Sequence, residues 1–347
     1  MENTGIYKHI QRSNRNLLAV NICLVLSVIA IAGMSRRYLY NFFFGPFPID
    51  NQTLLSNTTP DSRLQYFVKI RGSESLNTGV QEVEREVSKS TGETKSETVK
   101  AHYLALVIEQ KLLLVKTPNA NDSKEFTGAL ITLPNDAREK IVNEAEAEFP
   151  ALRGVFLPLM LDATNFRNSG YIGLGIGIPL FLLGVWNLFK VVKRKENIEN
   201  HPIMEDLKRF GSPNDVAFKI DSELQIAGNK STIGPAQITP SWILRSHFFG
   251  LEILNLNDIV WIYKNVTTHY KYFIPVGKTY AVVIYNRQGR LLEIPCKEQE
   301  VTSIIEQVIT YVPWVIAGYS QELQEVWQKN FSQMIEFVDM KRQEISN

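Results

Sequence analysis

The sequence predicts an α+β membrane protein: two transmembrane helices, a β-rich outer domain between them, and a β domain with C-terminal helices on the cytoplasmic side. Three observations carry this prediction. Residues 17–34 and 171–189 are apolar and contain no charged side chain. Stretches of alternating or short apolar runs, the signature of strands, fill the regions between and after them. From Val301 onward the apolar residues recur at helical spacing instead.

Residues 1–16 read as a short cytoplasmic tail. The first span, 17–34, has 18 residues, and at ~1.5 Å per residue it reaches about 27 Å, close to a ~30 Å hydrocarbon core. The second, 171–189, has 19. Tyr40, Phe42 and Phe43 follow the first span, while Tyr171 and Trp186 mark the second, as suits the water–lipid interface. Asn21 is the strongly polar side chain of the first span, tolerable where it faces the other helix. Lys8, Arg12, Arg15, Lys190, Lys193, Arg194 and Lys195 flank the outer ends of the two spans, against Arg36, Arg37, Arg153 and Arg167 on the side of the middle domain. This bias places both termini in the cytoplasm of a plasma (inner) membrane. A rival reading of 17–34 is a cleaved signal peptide, with Ala30-Ile31-Ala32 as the small-residue site; the middle domain lies outside in either case.

The middle domain, 44–167, opens on a linker rich in Gly, Pro and Asn. Strands are expected at 65–70, 99–107, 112–115 and 126–133, with a Ser/Thr-rich tip at 88–96. Asn135 is placed to cap a helix in which Ala137, Ile141, Ala145 and Phe149 recur every four residues. A small barrel or curled sheet with one packed helix fits this order, and 155–161 is expected to lead back to the membrane. Asn51-Gln52-Thr53, Asn57-Thr58-Thr59 and Asn121-Asp122-Ser123 match the N-glycosylation pattern.

The tail, 198–347, begins with a helix marked by Val216, Ile220 and Leu224. Strands follow around Ile243 and at 251–254, 259–263, 270–273, 280–285 and 291–294. Asn286-Arg287-Gln288-Gly289 reads as a hairpin loop. Two amphipathic helices close the chain, divided by Pro313, with Trp261, Ile284 and Trp327 expected in the core. Short antiparallel strands closed by an amphipathic helix follow the order of a pleckstrin-homology (PH)-like domain. The run from Asp258 through Trp261 to Lys264, the strand 282–285 with Gly289, and Pro313-Trp314 with Gly318-Tyr319-Ser320 resemble an uncharacterised family of two-span membrane proteins with a PH-like cytoplasmic part. That family has no established activity, so the resemblance implies architecture and no site.

No catalytic, metal or cofactor motif emerges. Gly173-Leu174-Gly175-Ile176-Gly177 lies within an apolar span, where a phosphate loop has no place. Gly170, Gly177 and Gly184 repeat every seven residues, and Gly173 with Gly177 forms a GxxxG pair. These are candidates for close helix packing, within one chain or between two. His9, His102, His201, His247 and His269 have no partners at metal-binding spacing. Glu82, Glu84 and Glu86 alternate along one strand face. A net charge of +1 gives no general pull on nucleic acid. Between residues 245 and 290, however, six basic residues face two acids. Of these, Lys264, Lys271, Lys278 and Arg287 are the candidate group for anionic lipid headgroups. The expected function is non-enzymatic: to bind or organise a protein partner or a second copy across the bilayer. The alternatives are a membrane enzyme with its site in the outer domain, and a subunit of a transport complex.

Overall fold

The computed structural model describes residues 5–56, 63–87 and 94–346. Asn57-Thr58-Thr59 and most of the 88–96 tip lie outside the described residues. The chain divides into two compact units: Leu24–Gly184, and the residues up to Cys23 together with Val185–Asn347.

Helix α1 (Gly5–Met34) is long and apolar enough to cross a membrane. Only 6% of its apolar window is buried, so it is not the core helix of a soluble fold. After a break at Ser35 comes α2 (Arg36–Phe44). Then follow β1 (Phe47–Pro48), α3 (Asn51–Ser56), β2 (Phe67–Arg71), β3 (Ser75–Val87), β4 (Thr94–Ile108), β5 (Lys111–Thr117) and β6 (Glu125–Thr132). The expected helix appears as α4 (Asn135–Ala137), a π-turn at Arg138–Val142 and α5 (Asn143–Glu148), and β7 (Phe156–Asp162) closes the series. The seven strands form one open sheet, ordered β1-β2-β6-β7-β5-β4-β3. The strands expected from periodicity are all present. The segment 155–161 does not lead out of the domain, however. It supplies β7, at the centre of the sheet between β6 and β5. Leu157, Leu159 and Leu161 join the core on one face and Met160 the core on the other, and burial on both faces is what a continuous apolar run encodes.

Helix α6 (Phe166–Glu196) is the second helix long and apolar enough to cross a membrane, again with 6% of its window buried. Asn187 Nδ2 donates to Asn21 Oδ1 at 3.1 Å, and Asn21 Nδ2 returns to the Leu17 carbonyl at 2.7 Å. The one strongly polar side chain of the first apolar segment thus faces the other helix, as expected, and both of its amide groups are satisfied.

The tail continues with α7 (Pro202–Leu207), α8 (Pro213–Ala227), β8 (Thr232–Ile233), β9 (Ala236–Ile238), β10 (Trp242–His247) and β11 (Gly250–Asn255). After them come β12 (Ile259–Lys271), β13 (Ile274–Asn286), β14 (Leu291–Cys296), α9 (Glu298–Tyr311), β15 (Ile316–Ala317) and α10 (Gln321–Ser346), which kinks at Asn330. Two four-stranded sheets result, β11-β10-β9-β8 and β14-β13-β12-β15. Their facing sides share a core with α9, built from residues such as Ile238, Ile243, Ile262, Ile284, Ile304 and Val308. The outer face of the second sheet presents Val260 and Trp261 to Met334 and Val338 of α10, with Trp327 packed at the margin. A register shift between Ile259 and Trp261 marks a bulge that turns two consecutive side chains, Val260 and Trp261, to this same outer face. The outer face of the first sheet carries Trp242, Leu244, Leu251 and Ile253. They pack against α7, α8 and Ile6 and Ile10 of α1. Both isoleucines are essentially buried, at 0% and 1% exposure, so the start of α1 is part of the tail's core.

Candidate functional site

The β12–β13 hairpin is half core and half projection. Residues 259–262 of β12, which pair with 284–286 of β13, are buried, and so are 281–284 of β13. Beyond Lys264, paired with Val282, the strands run on until Lys271 meets Ile274. Thr267, Thr268, Tyr270 and Thr279 suit an exposed pleated ribbon, and His269 Nε2 lies 3.0 Å from Thr279 Oγ1 across it. At the tip, Tyr272 and Phe273 form a two-residue turn with φ of +50° and +67°. Positive φ at both central positions is the type I′ signature and normally selects Asn-Gly. Bulky residues there cost roughly 1–3 kcal/mol each. Tyr272 is 85% and Phe273 99% exposed, and Tyr270, Ile274 and Val276 are exposed beside them. No carboxylate occurs between Lys264 and Tyr280. An unfavourable turn is thus used to display aromatic and aliphatic side chains beside Lys271 and Lys278.

The four expected headgroup cations do not form one cluster. Lys271 and Lys278 share the projecting arm. Lys264, at its base, bonds Glu298 at 2.7 Å and lies 5.0 Å from the centre of the Tyr280 ring. The Glu298 carboxyl is held below its usual range by hydrogen bonds from Lys264 and Tyr280. Arg287 follows the other end of β13 and forks onto both carboxylate oxygens of Asp339 in α10. At ~3.4 Å per residue it stands about 30 Å from Lys278. Arg287 therefore pins α10 to the second sheet. Sequence reasoning placed a strand at 270–273 and so missed the turn; the available signal was a set of large apolar residues between two lysines with no acid.

The packing glycines also separate. A Cβ at Gly170 would fall 2.3 Å from the Phe42 ring and 2.8 Å from the Tyr38 hydroxyl, so α2 rests directly on that backbone. At Gly173 and Gly177 a Cβ would meet nothing within 4 Å. Gly184 is buried. In the other unit, two of the three alternating acids are ion-paired: Glu82 with Lys116 at 2.5 Å and Glu84 with Lys100 at 2.6 Å.

Residues 219–327 match the family model of a domain of unknown function, DUF6709. The match covers both four-stranded sheets, α9 and the start of α10, and it includes the hairpin. No curated protein and no solved structure matches the chain.

Proposed function

We propose that this chain is a two-span integral membrane protein without catalytic activity, whose cytoplasmic tail is a PH-like module that contacts anionic lipid and organises partners at the membrane. Two observations support the topology. The apolar helices are exposed along their length rather than buried as core, and Ile6 and Ile10, ahead of the first span, pack in the tail's own core. Burial of that segment in the mature tail also favours retention of the first span over its removal as a signal peptide. The PH-like reading rests on order: seven strands, β8 to β14, are followed by α9, which closes the core between the two sheets, and the short β15 completes the second sheet.

The observation that carries the lipid reading is the turn of Tyr272 and Phe273 between Lys271 and Lys278. Aromatic rings favour the interface of a bilayer, and each lysine near an anionic surface adds ~1 kcal/mol. The test uses the full chain in nanodiscs of anionic or neutral lipid. A fluorophore is attached at Phe273→Cys after Cys23 and Cys296 have been replaced by Ser. A blue shift is expected in anionic discs, weakened by salt and by Lys271→Gln with Lys278→Gln. Identical spectra in the two kinds of disc would remove the lipid role and leave the tip as a protein-docking element.

A further inference from the structure

Beside the hairpin, the same unit holds a second basic feature where the two long helices enter the tail. Ser13 Oγ donates to the Phe249 carbonyl, and Asn16 Nδ2 donates to the Phe248 carbonyl at 2.8 Å. The turn between β10 and β11 is thereby pinned to α1 immediately before its apolar run begins at Leu17. Phe248 and Phe249 stack edge to face at 4.8 Å and remain about half exposed, a placement suited to the interfacial belt.

At this level a groove of about 440 Å³ opens between the start of α1 and the end of α6. Its lining includes Arg15, Arg194 and Lys195, with Leu18 and Ile198 as apolar wall, and it contains no carboxylate. Among the described residues, none of these three cations has an ion-pair partner. Burial depresses the pKa of the Arg194 guanidinium, with Glu205 offsetting only part of this. Asn14 also lines the groove. It is 5% exposed, and its Oδ1 is buried with no hydrogen-bond partner. An unmatched buried acceptor is costly and marks a place where a donor belongs.

We propose that this groove binds the headgroup of an anionic phospholipid bearing a hydroxyl or ammonium donor. Arg15, Arg194 and Lys195 would hold the phosphodiester through charge-assisted hydrogen bonds. The headgroup donor would satisfy Asn14 Oδ1, and the acyl chains would run beside Leu18, where the apolar helix begins. The groove's volume falls within the range of small-ligand sites. Basic pockets between spanning helices on the cytoplasmic side are suited to such headgroups. The inference rests on the two-span reading and is independent of the hairpin. Its consequence is that a lipid would join α1 to α6 where both meet the tail.

The test follows the unfolding temperature of the full-length protein, stripped of lipid in neutral detergent, as phosphatidylglycerol or phosphatidylcholine is added. A saturable rise with phosphatidylglycerol alone is expected. Arg15→Gln with Lys195→Gln should raise the concentration required by on the order of tenfold. Both side chains are exposed, so the fold does not depend on them; Lys124→Gln with Lys140→Gln, two exposed lysines outside the groove and the hairpin, removes the same charge as the control and should retain the full response. Equal responses to the two lipids, or equal responses of wild type and the groove variant, would overturn the proposal. So would an equal rise with soluble glycerophosphoglycerol or inorganic phosphate, which would assign the groove to a free phosphate compound. Alkaline carbonate extraction of native membranes separates the two readings: release of the protein would overturn the two-span reading itself, whereas retention without lipid discrimination would overturn the groove alone.

Discussion

His201 opens α7 with its ring buried, at 1% exposure. Its Nδ1 accepts the Ile203 backbone N–H at 3.2 Å. Burial, reinforced by the nearby Arg194 guanidinium, pushes its pKa down to about 4. An unfolded histidine titrates near ~6.5, so between these values the unfolded chain binds more protons. Stability is therefore complete above about pH 6.5 and falls as the pH drops towards 4, by at most roughly 3 kcal/mol. His201→Asn preserves an acceptor at the cap and should flatten this acid limb. Parallel loss of stability in both proteins between pH 7 and 4.5, followed by denaturant midpoints, would clear His201 of the effect. His9, also depressed mainly by burial, supplies a weaker slope of the same sign. Glycine gives a second contrast at this scale. Gly170→Ala drives a methyl group into the Phe42 ring and should cost about 1–3 kcal/mol by overpacking. Gly177→Ala should leave unfolding in detergent unchanged, because its Cβ meets open space. Both glycines belong to the same seven-residue repeat, and only the neighbours across the helix distinguish them. A GxxxG repeat is legible in one dimension, but the surface it meets is not.

At the scale of elements, strands with clear alternation or with a β-branched run were readable, because their side chains match the pleat and the core. β4, β5, β6 and β13 lie where the period placed them. β7 was misread because the segment preceding an apolar helix has the same composition whether it enters a sheet or a membrane. The turn at Tyr272 was hidden for a different reason: both turn residues are good strand formers, and neither carries the Asn, Asp or Gly that normally signals positive φ. A turn held against local preference predicts a separation of stability from function. Tyr272→Asn with Phe273→Gly installs the favoured type I′ pair and should stabilise the protein by on the order of 1 kcal/mol. The same variant should lose preference for anionic nanodiscs, measured by quenching of a hairpin fluorophore attached at Val276→Cys by lipid-borne quenchers. A variant that is both more stable and equally quenched would mean that the aromatic tip has no part in lipid contact. A destabilised variant would show that the aromatics support the hairpin itself.

The whole molecule departs furthest from what the sequence shows. Composition places the tail at 198–347, yet its compact unit also includes the residues up to Cys23. Ile6 and Ile10 lie one helical turn apart in an otherwise polar stretch. That spacing was available to be read, but their partners Trp242, Leu244 and Ile253 are more than two hundred residues away in sequence. Nothing local connects them. If both long helices cross the bilayer, this packing requires the N-terminal segment and the tail to share one face. In the proposed topology that face is the cytoplasmic one, on the strength of the charge bias at the span ends. Two measurements follow from this arrangement. Ile6→Ala with Ile10→Ala removes two buried side chains and should destabilise the tail by about 2–5 kcal/mol per site, seen as earlier proteolysis within 198–347 in membranes. A fragment beginning at Ile198 should show the same weakness and regain protection when residues 5–16 are joined to it through a flexible linker. Cysteine-labelling reporters at Lys8 and Glu344 should then be shielded together in intact cells and exposed together on permeabilisation. Shielding of one without the other would mean that the core containing Ile6 and Ile10 cannot form in the membrane-embedded protein, and the two-span arrangement would fall with it.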